Sequence, residues 1–418
     1  MPKKAEVLVV GAGPVGMLTA LLLAQQGVRT RIIDQKSQTA AYSYACALHP
    51  ASLCLLERAG LVKDVIALGW RVETVGLYEG PTRRAQVKFS DLPGRYPFAL
   101  ALAQFLLEEL LEEKLRGAGV HVEWHRRLCK IKPDADGVSA SIEKVAPTED
   151  GERLPESGMA MHRRVKVHAD FVVGADGYKS LLRQQLDIGS VRAGAPQLFG
   201  VYEVETADAM DHEMKLVLDD AGMSVLWPLA ENRCRWSFEI VLPEAAADFS
   251  QKGQERLITV QPPSDWDSLH HLRRFLAQRA PWFQPAIKDI HWLARAHFGR
   301  QLAVKFGQGR CWLAGDAAHQ ASPAGMQSMN AGLREAAELA DKLKSILRDE
   351  SDPASLRNYE SVYRAEWEVL LGLKPGLAPP SHLSPWARQH FATILSSLPA
   401  SGDDLKFLLE KLETHRSD

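Results

Sequence analysis

The sequence has no excess of charge of either sign and no long apolar run. Its 418 residues carry 50 Lys and Arg against 52 Asp and Glu, a formal net charge of −2. A near-neutral chain has no general attraction for polyanions, so nucleic acid is not expected as a partner. Because no uninterrupted apolar stretch approaches the ~18 residues of a membrane-spanning helix, no membrane partner is expected either.

Cysteine is scarce and irregularly placed. The five cysteines, at positions 46, 54, 129, 234 and 311, include no C-x-x-C pair. This usage predicts reduced thiols in a cytoplasmic protein. Lys3 and Lys4, followed by an apolar stretch, superficially resemble a secretory signal. That stretch is interrupted by Glu6, three glycines and a proline, which favours the cytoplasmic interpretation.

Common hydrolytic motifs are absent as well. His212-Glu213 lacks the second histidine of H-E-x-x-H, and no G-x-S-x-G occurs. Zinc protease and serine hydrolase chemistry are therefore excluded, and no metal site is predicted. A P-loop is excluded because Met17 stands where its lysine would be.

The informative feature that is present lies at the beginning of the chain. An apolar run over residues 6–10 leads into a G-x-G-x-x-G turn formed by Gly11, Gly13 and Gly16, and a helical run follows. A second apolar run then ends at Asp34, near the ~20-residue interval expected for a carboxylate that binds a ribose. Strand, glycine turn, helix and acidic residue together predict a dinucleotide site, with phosphates at the helix N-terminus.

Two further segments repeat the pattern of an apolar strand that ends in a carboxylate. Residues 171–174 lead to Asp176, and residues 311–314 lead to Gly315 and Asp316. The second is followed by a small-residue loop and a long helical pattern, whose N-terminal end would favour negative charge on a cofactor. His319, close to Asp316, is interpreted either as a catalytic group or, preferably, as a residue that satisfies hydrogen bonds in its loop.

The order of these three segments resembles the FAD-dependent aromatic hydroxylases of the p-hydroxybenzoate hydroxylase type, the group A flavoprotein monooxygenases, over about residues 5–345. The resemblance implies an α/β fold. It comprises a three-layer Rossmann-type FAD-binding domain, with a parallel sheet and a β-meander, an inserted mixed-sheet substrate domain and C-terminal helices. The implied boundaries are 1–70, 100–185 and 296–345 for the FAD-binding domain, 71–99 and 186–295 for the substrate domain, and 346–418 for the helical region.

The resemblance also implies roles for individual residues. The first glycine motif would bind the pyrophosphate of FAD, Asp34 its ribose, and Asp316 its ribityl hydroxyls. The full set of implied cofactor-binding residues is Gly11, Gly13, Pro14, Val15, Gly16, Asp34, Tyr44, Gln104, Leu128, Asp176, Gly315, Asp316, Pro323, Gly325, Met326, Gln327, Ser328, Met329 and Asn330. Trp227 and Pro323 are the expected substrate contacts. No catalytic side chain is assigned, because the flavin carries the chemistry.

Two single positions and one five-residue run depart from the usual pattern of that family. Tyr44 stands where many relatives carry arginine near the nicotinamide route. Residues 326–330 replace a more glycine-rich run, and Glu335 stands where aspartate is frequent. No second G-x-G-x-x-G is present for a permanently bound nicotinamide, so NAD(P)H is expected to visit, reduce the flavin and leave.

The function implied is that of a monooxygenase that uses FAD, NAD(P)H and dioxygen to hydroxylate a small aromatic substrate, phenolic or polycyclic, through a flavin hydroperoxide. A monomer or homodimer is expected. The alternatives are a flavin halogenase, whose W-x-W-x-I-P motif is only faintly matched from Trp236 to Ile240, and a flavoprotein without hydroxylase activity. A plain NAD dehydrogenase would retain no flavin.

Overall fold

The computed structural model describes residues 5–40, 47–145, 164–220, 222–241, 258–259 and 269–414. Within these residues the chain forms α-helices and two 3-10 turns, at Phe89–Asp91 and Gly315–Ala317. The α-helices are α1 (Pro14–Gln25), α2 (Pro50–Arg58), α3 (Val62–Leu68), α4 (Gln104–Gly117), α5 (Leu181–Gln185), α6 (Leu269–Arg279), α7 (Gln327–Arg348), α8 (Ser355–Leu370), α9 (Pro385–Gln389), α10 (Phe391–Ser397) and α11 (Gly402–Glu410).

The strands of the described residues are mostly short. They are β1 (Val7–Val10), β2 (Thr30–Ile33), β3 (Ala47–Leu48), β4 (Trp70–Val72), β5 (Thr74–Glu79), β6 (Thr82–Lys88), β7 (Ala99–Ala101), β8 (Val122–Glu123), β9 (Arg126–Pro133), β10 (Val138–Lys144), β11 (Arg164–Ala169), β12 (Phe171–Gly174), β13 (Ser190–Arg192), β14 (Gln197–Thr206), β15 (Glu213–Asp219), β16 (Gly222–Leu229), β17 (Arg233–Glu239), β18 (Ile258–Thr259), β19 (Ile287–Phe298), β20 (Gln301–Ala303), β21 (Gly307–Gln308), β22 (Cys311–Leu313), β23 (His319–Gln320) and β24 (Glu413–Thr414).

A six-stranded sheet in the order β21-β22-β12-β1-β2-β8 forms the first layer. The neighbours from β22 to β8 run parallel, and only β21 is antiparallel to its partner. Strand β1 is buried on both faces, as a continuous Val-Leu-Val-Val run predicts for a central parallel strand. Strands β2 and β12 lie on opposite sides of β1, so the direction in which successive strands are added to the sheet reverses at β1. Ligands bind outside the carboxyl ends of strands at such a point.

A nine-stranded sheet in the order β18-β19-β14-β17-β16-β15-β5-β6-β24 forms the second layer. Strand β5 pairs in parallel with β15, so residues 74–88 join the same sheet as residues 197–298. The last strand, β24, pairs with β6 and attaches the C-terminus to the edge of this sheet. Separate antiparallel pairing of β9, β10 and β11 forms the expected β-meander.

The two faces of the second sheet pack against different partners. One face, with Trp236 and Phe238, is covered by α6, and Phe238 stacks on Phe275 with 4.8 Å between ring centroids. The other face, with Val201 and Trp227, belongs to the apolar core that it shares with the first sheet. Cross-strand neighbours share a face, so Arg235, opposite Trp227, also lies on that side.

A partly buried ion pair joins the start of β1 to the end of α7. Glu6, 6% exposed, accepts hydrogen bonds from both terminal nitrogens of Arg348 and from the Arg29 backbone, each at 2.8 Å. The hydrogen bonds from Arg348 are the main reason that the pKa of Glu6 is lowered to about 2.

This shift predicts a contribution to acid stability. A carboxylate whose pKa is lowered by folding stabilises the protein above its unfolded pKa, and the contribution is lost as the pH falls toward 2. We expect Glu6→Gln to reduce the free energy of unfolding at pH 7 by about 2 kcal/mol, after allowance for the partial exposure of Arg348. In urea unfolding from pH 7 to pH 2, the gap between wild type and variant should close below about pH 4.5. A constant gap would show that the carboxylate charge is not responsible.

Candidate cofactor and substrate site

The turn between β1 and α1 leaves a helix end open. Gly11 has a φ of +103°, and a Cβ atom there would collide with the carbonyl oxygen of Ala175. A Cβ atom at Gly16 would likewise collide with the Gly11 carbonyl. At Gly13 a Cβ atom would meet nothing within 4 Å, and no side chain caps the helix there. The first and third glycines are thus required by packing, and the second leaves space in front of the N–H groups of α1.

Asp34 stands at the end of β2, beside that turn. Its Oδ2 accepts a hydrogen bond from the Ala12 backbone at 2.7 Å, and its Oδ1 accepts one from the Lys36 backbone at 2.8 Å. The side chain is half-buried, and each carboxylate oxygen can accept a further hydrogen bond. A ribose hydroxyl is the kind of donor that such a carboxylate accepts.

Gly315 and Asp316 follow β22 and lie against the beginning of α1. Gly315 has a φ of +63°, and Val15 would be 3.0 Å from a Cβ atom there. The Gly315 N–H donates to Glu335 at 2.8 Å, which fixes the turn to α7. The Asp316 side chain is exposed but stands in a recess. Exclusion of water by the surrounding protein raises the pKa of its carboxyl; Glu335 raises it further and His319 opposes the rise.

His319 is buried behind this turn. Its Nε2 lies 2.7 Å from a Glu335 oxygen, and both side chains are fully inaccessible. The ring stacks on Trp367 with 3.9 Å between centroids, and the Trp367 indole donates to the same Glu335 carboxylate at 3.1 Å. These contacts favour the structural interpretation of His319 over the catalytic one.

The loop before α7, residues 321–326, is held in place by Asn330 in the first turn of that helix. The Asn330 side chain accepts hydrogen bonds from the His49 backbone and the Ser52 hydroxyl, each at 2.8 Å. It donates to the carbonyl oxygens of Ala47 at 3.0 Å and Met326 at 2.8 Å. Asn330 is completely buried. Its amide therefore joins residues 47–52 to the loop before α7, and its contacts in the described structure are not those of a ligand-facing group.

The same loop is supported from outside by the C-terminal region. Gln327, 1% exposed, donates to the carbonyl oxygens of Leu398 at 2.7 Å and Ala400 at 3.0 Å. A Cβ atom at Gly325 would lie 2.8 Å from the Ser396 carbonyl oxygen. The Ser328 hydroxyl accepts a hydrogen bond from the Ala321 backbone at 3.2 Å. Residues 396–400 thus form the outer wall of this loop.

Three more of the expected cofactor residues also make internal contacts. Asp176 caps α5, because its carboxylate accepts hydrogen bonds from the Ser180 hydroxyl and from the backbone of Leu181 and Leu182. Gln104, at the start of α4, donates to Glu108 at 2.7 Å. Leu128 is 2% exposed in the β-meander. Tyr44 lies outside the described residues. A role of these four in cofactor binding therefore stays a prediction.

A mainly apolar cavity lies between the second sheet and the loop before α7. The residues that line it are Val201, Arg235, Ser237, Trp292, Ala296, Phe298, Pro323 and Met326. Pro323 is thus on the cavity wall. Trp227 is fully buried on the same face of the sheet but is not among the lining residues, and Trp236 is on the opposite face.

The family of the chain follows from its sequence as a whole. Residues 4–369 match the family model described as "FAD binding domain". The chain therefore belongs to this family and binds FAD. The matched span includes the turn after β1, the Asp34 and Gly315-Asp316 segments and the loop before α7.

The relatives of the chain are monooxygenases and hydroxylases. It is 30% identical over 367 residues to 6-methylpretetramide 4-monooxygenase of Streptomyces rimosus, a match that covers 86% of this chain and 59% of the relative. The structure of p-nitrophenol 4-monooxygenase from Pseudomonas putida DLL-E4 superimposes with a TM-score of 0.70, at 21% identity over 98% of this chain and 96% of the other. That of aklavinone-11 hydroxylase with FAD and aklavinone gives 0.68, at 23% identity over 94% and 71%.

These comparisons confirm the predicted family and fold class. The chain spans about three fifths of the length of the first of these relatives. No α-helix among the described residues is both long and apolar enough to cross a membrane.

Proposed function

We propose that this protein is an FAD-dependent monooxygenase that uses NADH or NADPH and dioxygen to hydroxylate an aromatic substrate, phenolic or polycyclic. The observation that carries the proposal is the cavity between the second sheet and the loop before α7. Pro323 and Met326 of that loop form one wall of the cavity, and aromatic and aliphatic side chains of the sheet form most of the rest. A flat aromatic ring is the kind of ligand that a lining of this chemistry favours.

The residues present fit FAD along the carboxyl ends of the parallel strands. The open N-terminus of α1 at Gly13 would hold the pyrophosphate, and Asp34 would accept hydrogen bonds from the adenosine ribose. Asp316, exposed within its recess, would accept them from the ribityl chain. When bound, FAD supplies the redox and oxygen chemistry that side chains lack.

The protein's own task is to orient the substrate and to exclude water. Five of the eight lining residues that belong to the described part of the chain are apolar, so few groups of this wall can retain water in the cavity. Arg235 and Ser237 contribute polar hydrogens from strand β17, and Trp292 contributes an indole N–H from β19. The N-terminus of α7, which has no side-chain cap, would favour negative charge on the bound cofactor.

The nicotinamide nucleotide is proposed as a transient co-substrate. The sequence has one G-x-G-x-x-G motif, which FAD would use. We propose that the protein acts as a monomer or homodimer.

The test is oxygen incorporation by the purified FAD-bound protein. With NADH or NADPH, labelled dioxygen and a panel of phenols and polycyclic phenols, we expect nucleotide oxidation that a suitable phenol accelerates at least about tenfold. The product should gain one labelled oxygen atom. Hydrogen peroxide should be assayed in parallel. If water reaches the flavin, electrons from the nucleotide would form hydrogen peroxide instead of hydroxylated product.

Asp316→Asn is the matched variant, because it keeps the size of the side chain and removes its charge. We expect weaker FAD retention and a proportional loss of product. Halogenated product that requires chloride would instead support the halogenase alternative. FAD reduction without oxygen in any product would support a non-hydroxylating flavoprotein.

A further inference from the structure

The cavity contains a charged side chain that the sequence did not single out. Arg235 is 2% exposed and is the charged residue among the described lining residues. Its guanidinium lies over the Trp292 ring, 5.2 Å from the centroid. A buried arginine on a substrate wall commonly indicates a ligand with a negative charge, because an uncompensated cation is costly to bury.

Here the charge is already compensated within the sheet. Glu203 lies directly opposite Arg235 on β14, and its Oε2 accepts a hydrogen bond from the Arg235 Nη2 at 2.6 Å. The Glu203 side chain is 12% exposed, so the pair is largely removed from water. The other oxygen of Glu203 lies 3.6 Å from Arg233, which pairs in turn with the exposed Glu231 at 2.8 Å. The positive charges of the two arginines and the negative charges of the two glutamates in this network therefore cancel.

This balance discriminates between ligand classes. A carboxylate in the cavity would add an uncompensated negative charge beside Glu203. No unpaired cation of this network would offset the free energy that the carboxylate loses when it leaves water. A ketone, quinone or phenol oxygen brings no net charge and can accept a hydrogen bond from a guanidinium. The Trp292 Nε1 is a second donor on this wall, since it is buried and has no acceptor among the described residues.

We infer that the Arg235–Glu203 pair selects aromatic substrates that present an uncharged phenol or carbonyl oxygen and rejects aromatic carboxylates. The inference rests on the proposed function only in taking this cavity as the substrate site. Arg235 is thereby a specificity-determining residue. Glu203 is a positioning residue that holds the guanidinium and makes the pair electrically neutral. The nearly isosteric pair para-hydroxyacetophenone and para-hydroxybenzoate separates the two ligand classes.

The experiment measures binding of these two probes to the FAD-bound protein by titration calorimetry at pH 7, with perturbation of the flavin absorbance as a second readout. Nicotinamide nucleotide is left out, so failure of hydroxylation and failure of this inference are distinguishable. We expect wild type to bind the ketone at least about tenfold more tightly than the carboxylate. Glu203→Gln should reverse that preference, because it leaves Arg235 with a net positive charge.

Two further variants keep the inference falsifiable. Asp403→Asn changes the net charge of the protein equally at an exposed position outside this network and should leave the ratio within about twofold of wild type. The double variant Arg235→Met/Glu203→Gln restores neutrality without the pair, so it should again prefer the ketone, with weaker binding. Preference of wild type for the carboxylate, an unchanged ratio in Glu203→Gln, or binding of neither probe at millimolar concentration would overturn the inference.

Discussion

Replacing Gly13 with aspartate is expected to weaken FAD binding severely while leaving the apoprotein at least as stable as wild type. Gly13 is the N-cap of α1, with φ of −77° and ψ of 179°, a conformation that any residue adopts. A Cβ atom there meets no protein atom within 4 Å. Aspartate is among the preferred N-cap residues and should stabilise the helix by about 1 kcal/mol relative to an uncapped end.

The same carboxylate would stand where the pyrophosphate is proposed to bind. Two like charges about 4 Å apart repel by about 4 kcal/mol at the effective dielectric constant of a protein surface. We therefore expect FAD affinity to fall by at least about 100-fold. Equilibrium dialysis against FAD and thermal unfolding of the apoprotein measure the two effects separately.

The neighbouring glycines supply the controls for this variant. Gly16→Ala should destabilise the apoprotein itself, because its Cβ atom would collide with the Gly11 carbonyl. Gly13→Ala should lower FAD affinity far less than Gly13→Asp, since it adds a methyl group without a charge. If Gly13→Asp retained FAD with wild-type affinity, the pyrophosphate could not lie at this helix end.

The cofactor motifs could be predicted because their requirements are local. The glycines at 11 and 16 are needed by backbone contacts within one strand-turn-helix unit, and Asp34 follows at the spacing that one helix and one strand impose. The general position of the Gly315-Asp316 turn could be predicted for the same reason.

The substrate wall could not be predicted, because it depends on sheet register. Both faces of the second sheet are buried, so alternation along β17 does not reveal which face meets the cofactor domain. Trp236 and Arg235 are adjacent in sequence but point to opposite sides. The partnership of Arg235 with Glu203 joins residues 32 positions apart and appears only when β14 and β17 are paired. The available signal was the alternation of polar and apolar residues along β17, which places Arg235 on the more polar of its two faces.

The contacts of the loop before α7 could not be predicted from the sequence either. The resemblance assigned residues 346–418 only to a helical region, whereas residues 398 and 400 accept hydrogen bonds from Gln327. Asn330 bonds to the backbone of a residue 281 positions away. Hydrogen bonds between residues so far apart produce no periodic pattern in the sequence from which they could be predicted.

Asn330→Ala should therefore destabilise the apoprotein rather than remove a cofactor contact. The substitution leaves two buried donors, on His49 and Ser52, and two carbonyl oxygens without the Asn330 amide as their partner. Each lost hydrogen bond costs about 1 kcal/mol and unsatisfied buried groups cost more, so we expect a loss of about 4 kcal/mol in urea unfolding. Ser328→Ala, which loses one hydrogen bond in the same loop, should cost about 1 kcal/mol.

Asn330→Asp sharpens the distinction. It keeps both accepted hydrogen bonds but turns the donor toward the Ala47 and Met326 carbonyls into a second acceptor, so it should destabilise at least as much as alanine. For variants that remain folded, FAD affinity should change less than about tenfold. An apoprotein of wild-type stability with collapsed FAD affinity would instead place the Asn330 amide on the cofactor. Gly13→Asp is expected to give that second pattern, so the two substitutions separate a residue that holds the loop from one that faces the phosphates.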